Sequence, residues 1–156
     1  MKELETALGK LKTATEEMSF QKPLEKALEV IREQTRVGFE QEQAPDGKPW
    51  KELSERSKQR KKKQGRASKK LQDKLVLVDS LVHHSPIERV TDKTLEYGTN
   101  VTDERGRAYA HFHQDGSPRK YIPQREFLAI NDESAEKIDD LIADHVEQEI
   151  AKCFDA

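Results

Sequence analysis

The amino-acid sequence predicts an α+β fold, with an antiparallel β-sheet packed against N-terminal helices and a C-terminal helix. Three observations carry that expectation. Apolar residues recur at three- and four-residue steps near both ends of the chain. Strand-like runs lie between them, around 83–99 and 126–130. The order is helices, then strands, then a helix, which segregates the elements instead of alternating them in βαβ units.

The first helix rests on Leu4, Ala7, Leu8, Leu11, Ala14 and Met18, which share one face over residues 3–18. Phe20 and Pro23 interrupt it, and Pro23 suits the first turn of a second helix because its missing N–H has no partner to lose there. From Leu24 to about Gln43, a stripe of Ala27, Leu28, Ile31, Thr35, Gly38 and Phe39 is set against faces thick with charge. The N-terminal helices thus occupy 1–43. Ala44-Pro45-Asp46-Gly47-Lys48-Pro49 is a turn in which Asp46 can bond nearby backbone. Trp50 follows, with Leu53 one helical turn on and Ser54 as a candidate cap. The stretch 54–70 lacks apolar periodicity and is a basic loop or solvated helix, with a break at Gly65.

Leu71, Leu75, Leu77, Val78 and Leu81 predict a short helix around 71–82, though the run Leu75–Val78 would also suit a strand. Two strands are expected at His83–Val90 and Thr94–Thr99, joined by Thr91-Asp92-Lys93. Residues 102–107 form a polar loop, Ala108–Gln114 a short helix or strand, Ser117–Tyr121 a loop and Glu126–Ile130 another strand. Asn131 or Asp132 can cap a last helix to about Lys152, with Ile138, Leu141, Ile142, His145, Val146 and Ile150 on its buried stripe. No internal repeat shows, and 156 residues are consistent with a single domain over 1–156.

Composition narrows the classes. The chain is 33% hydrophobic and 37% charged with a net charge of only −2, so the expected core is modest and the charge dense. No apolar run approaches the ~18 residues of a membrane span. The start Met1-Lys2-Glu3-Leu4-Glu5 lacks the apolar stretch of a signal peptide and is too acidic for a transit peptide, which predicts a soluble protein made inside the cell. A single cysteine, Cys153, excludes an internal disulfide framework and a four-ligand zinc site built on cysteine.

The near-neutral total hides segregation. Residues 51–70 carry Lys51, Arg56, Lys58, Arg60, Lys61, Lys62, Lys63, Arg66, Lys69 and Lys70 against Glu52 and Glu55, a net of +8. Residues 131–156 carry nine acids against Lys137 and Lys152, a net of −7. Such blocks attract wherever they come within about a Debye length, ~8–10 Å near physiological salt, whether inside one chain or between neighbours. The basic run also makes Arg60, Lys61, Lys62, Lys63 and Arg66 candidate contacts for a partner or for nucleic acid. No aromatic residue interleaves them, so base stacking is not signalled.

Chemistry has few candidates. Alternate residues on a strand point to one face, so His111 and His113, near His83 and His84, are candidates to share a metal with Asp115 as a third ligand. Packing of Tyr109, Phe112 and the histidines against the sheet is the favoured account, and no metal or cofactor is expected. Cys153 sits at the acidic C-terminal end of a helix, a poor setting for a nucleophilic thiolate. Ser80 and Ser85 lie near histidines without a nucleophile elbow, and isolated Gly98 and Gly106 make no phosphate loop.

Five separated pieces then resemble one family. Pro45, Gly47, Trp50 and Leu53 hold the spacing Pro-x-Gly-x-x-Trp-x-x-Leu of the phage virion morphogenesis family of tail-completion proteins. Leu75–Val82 with Asp79-Ser80-Leu81, the run Leu95–Asn100, and Tyr109-Ala110 followed by His113-Gln114-x-Gly116 are similar to its next elements. Ile122-Pro123-Gln124-Arg125-Glu126-Phe127-Leu128 resembles its Pro-Ala-Arg-Pro-Phe-Leu element, with Gln124 and Glu126 in place of the usual Ala and Pro. The resemblance spans about residues 24–150. It implies a non-enzymatic phage or prophage assembly protein that completes or terminates the tail, or joins it to the head. It implies self-association into a ring, contacts with tail or neck proteins, and a life in the host cytoplasm and then the virion. Gly47, Trp50, Leu53, Tyr109, Gln114, Gly116, Pro123, Arg125 and Phe127 then form a structural motif, with Arg125 pairing a carboxylate or bonding carbonyls of an adjacent loop. Alternatively, Arg125 and Gln114 face a partner subunit.

Overall fold

The computed structural model describes residues 2–66 and 68–155. Its elements are α1 (Lys2–Glu17), α2 (Gln21–Gln41), α3 (Glu55–Lys63), α4 (Val76–Val82), β1 (Ile87–Val90), β2 (Leu95–Gly98), α5 (Ala110–Gln114), a 3-10 turn (Pro118–Lys120) and α6 (Asp132–Asp155). This is the expected α+β class. The stripe residue Leu4 and the acid Asp155 lie outside the residues whose side chains are described.

Helix α2 is the central strut. It buries Pro23, Ala27, Leu28, Ile31, Thr35 and Phe39 at helical spacing, and the Thr35 hydroxyl donates back to the Ile31 carbonyl at 2.8 Å. It ends where Glu42 turns left-handed at φ 56° and donates its N–H to the Gly38 carbonyl. The hairpin β1–β2 pairs antiparallel, Ile87 with Gly98 and Val90 with Leu95. Two strands alone are marginal in water. This ribbon lies on α2, where the Arg32 guanidinium reaches Glu88 at 2.6 Å. Helix α6 packs on α2 and α1. The junction between α1 and α2 is pinned twice, by Phe20 N–H to the Asp92 carbonyl at 2.7 Å and by His145 Nε2 at 2.8 Å from the Ser19 carbonyl.

Three expectations need correction. The helix expected at 71–82 begins only at Val76, because Leu71 and Leu75 both adopt left-handed backbone that a helix cannot contain. The strand expected from His83 is shorter, since 83–86 leave α4 as irregular chain and pairing starts at Ile87. Glu126–Ile130 forms no strand and joins no sheet. Its backbone groups bond to side chains instead: Gln114 Oε1 accepts from the N–H of Phe127 and of Leu128, both at 3.1 Å, and Gln114 Nε2 donates to the Leu128 carbonyl at 2.8 Å. Gln34 repeats the device one step along, donating to the Ala129 carbonyl at 2.6 Å and accepting from Asn131 N–H at 3.1 Å. Two amides thus stand where a neighbouring strand would, and bond backbone at Phe127, Leu128, Ala129 and Asn131 without a ladder. Asn131 then caps α6, its side chain accepting from Ser134 N–H at 2.8 Å.

Candidate functional site

The core places the motif. Phe39, Trp50, Leu77, Leu81, Ala110 and Phe127 form one buried cluster, with Leu71, Val78, Tyr97, Val101, Tyr109 and Leu128 against it. Trp50 is reached through the 44–49 turn, closed by Gly47 N–H to the Ala44 carbonyl at 2.9 Å and by Lys48 N–H to the Asp46 carboxylate at 3.0 Å. Gly47 supplies φ +81° at its corner. The indole is only 4% exposed. It meets Phe39 edge-on with centroids 5.3 Å apart, and Nε1–H donates to the Glu126 carbonyl at 2.7 Å. Phe127 completes the stack, 5.9 Å from Phe39.

Arg125 is buried beside it. Nε donates to the Lys51 carbonyl at 2.8 Å and Nη2 to the Glu52 carbonyl at 3.1 Å, while its N–H donates to the His113 carbonyl at 2.7 Å. Of the two expected partners, carbonyls of an adjacent loop are the ones bonded. Burial lowers the guanidinium pKa, and the charges of Glu52 and Glu42 raise it. Gly116 sits opposite Gln124 with φ +77°, and a Cβ there would lie 2.9 Å from the Gln124 nitrogen. The tryptophan turn, α5 and the 122–128 segment are therefore bolted together by Trp50, Arg125 and Gln114, each bonding backbone. Leu53, Tyr109 and Pro123 border an adjoining open cleft of about 1530 Å³, floored by Leu71 and Leu77 and edged by Arg60.

The histidines do not gather. Ala110–Gln114 forms the short helix α5, with Ala108 in an isolated bridge to Thr102, so His111 and His113 diverge by about 200° around the helix axis. His111 packs on Phe112 with centroids 3.8 Å apart, and His113 meets Tyr109 edge-on at 6.2 Å. Burial, followed by the charge of Arg125, pushes the His113 pKa down. Among the described residues no three His, Cys, Asp or Glu side chains come together as a metal site. Ser80 bonds the Leu77 carbonyl and Thr99, Ser85 the carbonyls of Ile87 and Gly98, and the Cys153 thiol the Glu149 carbonyl.

The basic segment splits in two. Ser54 caps α3, its side chain accepting from Ser57 N–H at 3.2 Å. The inner face then carries Lys61, only 4% exposed, with Nζ donating to the Lys69 carbonyl at 2.6 Å and lying 3.8 Å from Asp73. Burial lowers its pKa while Asp73 raises it. Lys70 is likewise buried, paired with Glu52 at 2.7 Å and with Glu42 at 3.4 Å. Arg66 holds Asp73 at 2.7 Å. Of the candidate contacts, Lys61 is therefore an internal fastener and Arg66 is engaged, while Arg60, Lys62 and Lys63 stay exposed. Residues missed by pattern alone are Gln34, Glu42 and Gln72, the last donating to the Phe39 carbonyl at 2.7 Å. Their only signal is a neutral amide, or a carboxylate just past a helix end, in an otherwise charged stretch.

Trp50, Gln114 and Arg125 thus spend their polar groups on the chain's own backbone. A model of the phage virion morphogenesis family matches residues 1–147, and the chain belongs to that family. Membership gives it a role in building phage virions and phage structural proteins as partners. No curated protein and no solved structure matches the chain. No helix among the described residues is long and apolar enough to cross a membrane.

Proposed function

We propose that this protein completes or terminates the phage tail, or joins tail to head, by assembling with copies of itself and docking on tail or neck proteins. It acts without catalysis, in the host cytoplasm during assembly and then as part of the particle. The observation that carries this is the division of labour in the fold. Trp50, Gln114, Arg125 and Phe127 brace two chain segments internally, while strong charge of opposite sign is displayed on α3 and α6. Nucleic-acid binding through 56–70 is the weaker alternative, because Lys61 and Lys70 are buried and Lys58 and Arg66 are ion-paired. A phage carrying a stop codon early in this gene tests the role. The expected result is full heads and tails that fail to join, or tails of irregular length, with infectivity restored by the gene in trans. Normal particles from the mutant would contradict it.

A further inference from the structure

We propose that the outward row of α3, Arg56, Arg60 and Lys63, docks on the outward row of α6, Asp140, Asp144 and Glu147, in a second copy of this chain. This rests on the self-assembly proposed above and names the surfaces that carry it. Each row steps by four and then three residues, so its charges share one face of its helix and extend over about 10 Å. The two rows therefore match in sign, spacing and length. All six side chains are exposed. Among the described residues, none of the six makes an ion pair, although Lys58, Lys61, Arg66 and Lys70 around the first row and Glu133 and Glu149 around the second all do. Glu136 and Asp139 extend the acidic row by a turn and are equally unpaired among those residues.

Among the described residues, nothing inside one subunit joins the rows. No hydrogen bond or ion pair between 51–70 and 131–155 occurs among the described residues, and α6 lies on α2 and α1 while α3 borders the cleft. Apolar surface flanks both rows. Leu75, Val76 and Tyr121, the last 94% exposed on left-handed backbone, surround the cleft beside α3. Ile130 and Phe154 stand exposed at the two ends of α6. Charge sets the register and speeds the encounter, and buried apolar area supplies the affinity. Where the pairing is not reciprocated across a two-fold axis, the contact is head-to-tail, the kind that propagates into a closed ring or a filament. DNA would engage the α3 row and leave the matching carboxylates unexplained.

The test is light scattering on the purified full chain, with variants checked for folding by circular dichroism. One variant carries Arg56→Glu, Arg60→Glu and Lys63→Glu. A second carries Asp140→Lys, Asp144→Lys and Glu147→Lys, and a third carries all six. A milder set, Arg56→Gln, Arg60→Gln and Lys63→Gln, covers the case in which reversal impairs folding. The wild type is expected to associate more weakly as salt rises. Each single-row reversal should weaken association by on the order of tenfold or more. Both the six-fold swap and an equimolar mixture of the two single-row variants should regain it. Unchanged association of the single-row variants would overturn this interface while leaving self-assembly standing. So would loss that neither the swap nor the mixture rescues. Loss of DNA retention from α3 reversal at constant mass would do the same and assign the basic row to nucleic acid. A wild type that stays monomeric at all concentrations would remove both the interface and the self-assembly beneath it.

Discussion

Trp50 owes its burial to a single tight turn, and its indole N–H binds the backbone of a segment 76 residues later in the chain. Replacing it with Phe keeps most of the apolar contact but strands the Glu126 carbonyl. A loss of about 1–3 kcal/mol in urea unfolding is expected; a change of a few tenths would show that water satisfies the carbonyl. Arg125 makes the same kind of link with a charged group. Its neighbour His113 gives the site a pH signature. Folding lowers the His113 pKa, so the unfolded chain takes up a proton first, near 6.5. Stability is then complete above that value, falls as pH drops through it, and levels off below the folded-state pKa. The urea midpoint should fall more between pH 7.5 and 5.5 for the wild type than for His113→Gln. Equal falls would mean that His113 is as free in the fold as outside it. Asp103, held down to about 2 by Arg107, titrates well outside this window.

At the scale of elements, regular periodicity was legible and substitution for it was not. The stripe from Ala27 to Phe39 reports α2 directly, because a helix has one repeat and one buried face. The segment 126–130 has a strand's composition, but its partner is not a strand. Gln114 and Gln34 fill that place from two different helices, and no local pattern marks a glutamine as a bracket. Hydrogen exchange tests this arrangement. Gln114→Leu should expose the amides of Phe127 and Leu128 to exchange while those of α2 stay protected, and uniform protection would mean that the segment holds itself. The basic run misleads in the opposite way, since ten similar cations conceal that two, Lys61 and Lys70, are buried. Lys61→Ala should destabilise the chain by about 1–3 kcal/mol, because the Lys69 carbonyl loses its donor. Lys62→Ala, on the exposed face, should stay within about 0.5 kcal/mol. Similar effects for the two would refute the division of α3 into an inner and an outer face.

For the whole molecule, the folded arrangement explains why a chain that is 37% charged and 33% hydrophobic needs so few core residues. Six buried side chains close one cluster, Ala27, Leu28 and Ile31 bury the rest of the α2 stripe, and polar side chains that bond backbone add to both. The charge left over is sorted by sign onto two helices with separate surroundings, which suits a part made to contact others of its kind. The family was readable from five short motifs because those motifs sit at one junction. The identity of the outward surfaces was not, since burial of Lys61 and Lys70 depends on where 69–73 crosses α3. A reconstruction of the intact phage particle is the most direct measurement. Copies of this chain should close around the end of the tail or the neck, with the Trp50–Arg125 junction inside each subunit and charged helices at the contacts. A particle without it, or one in which Trp50 and Arg125 line the contact with a neighbour, would contradict the account.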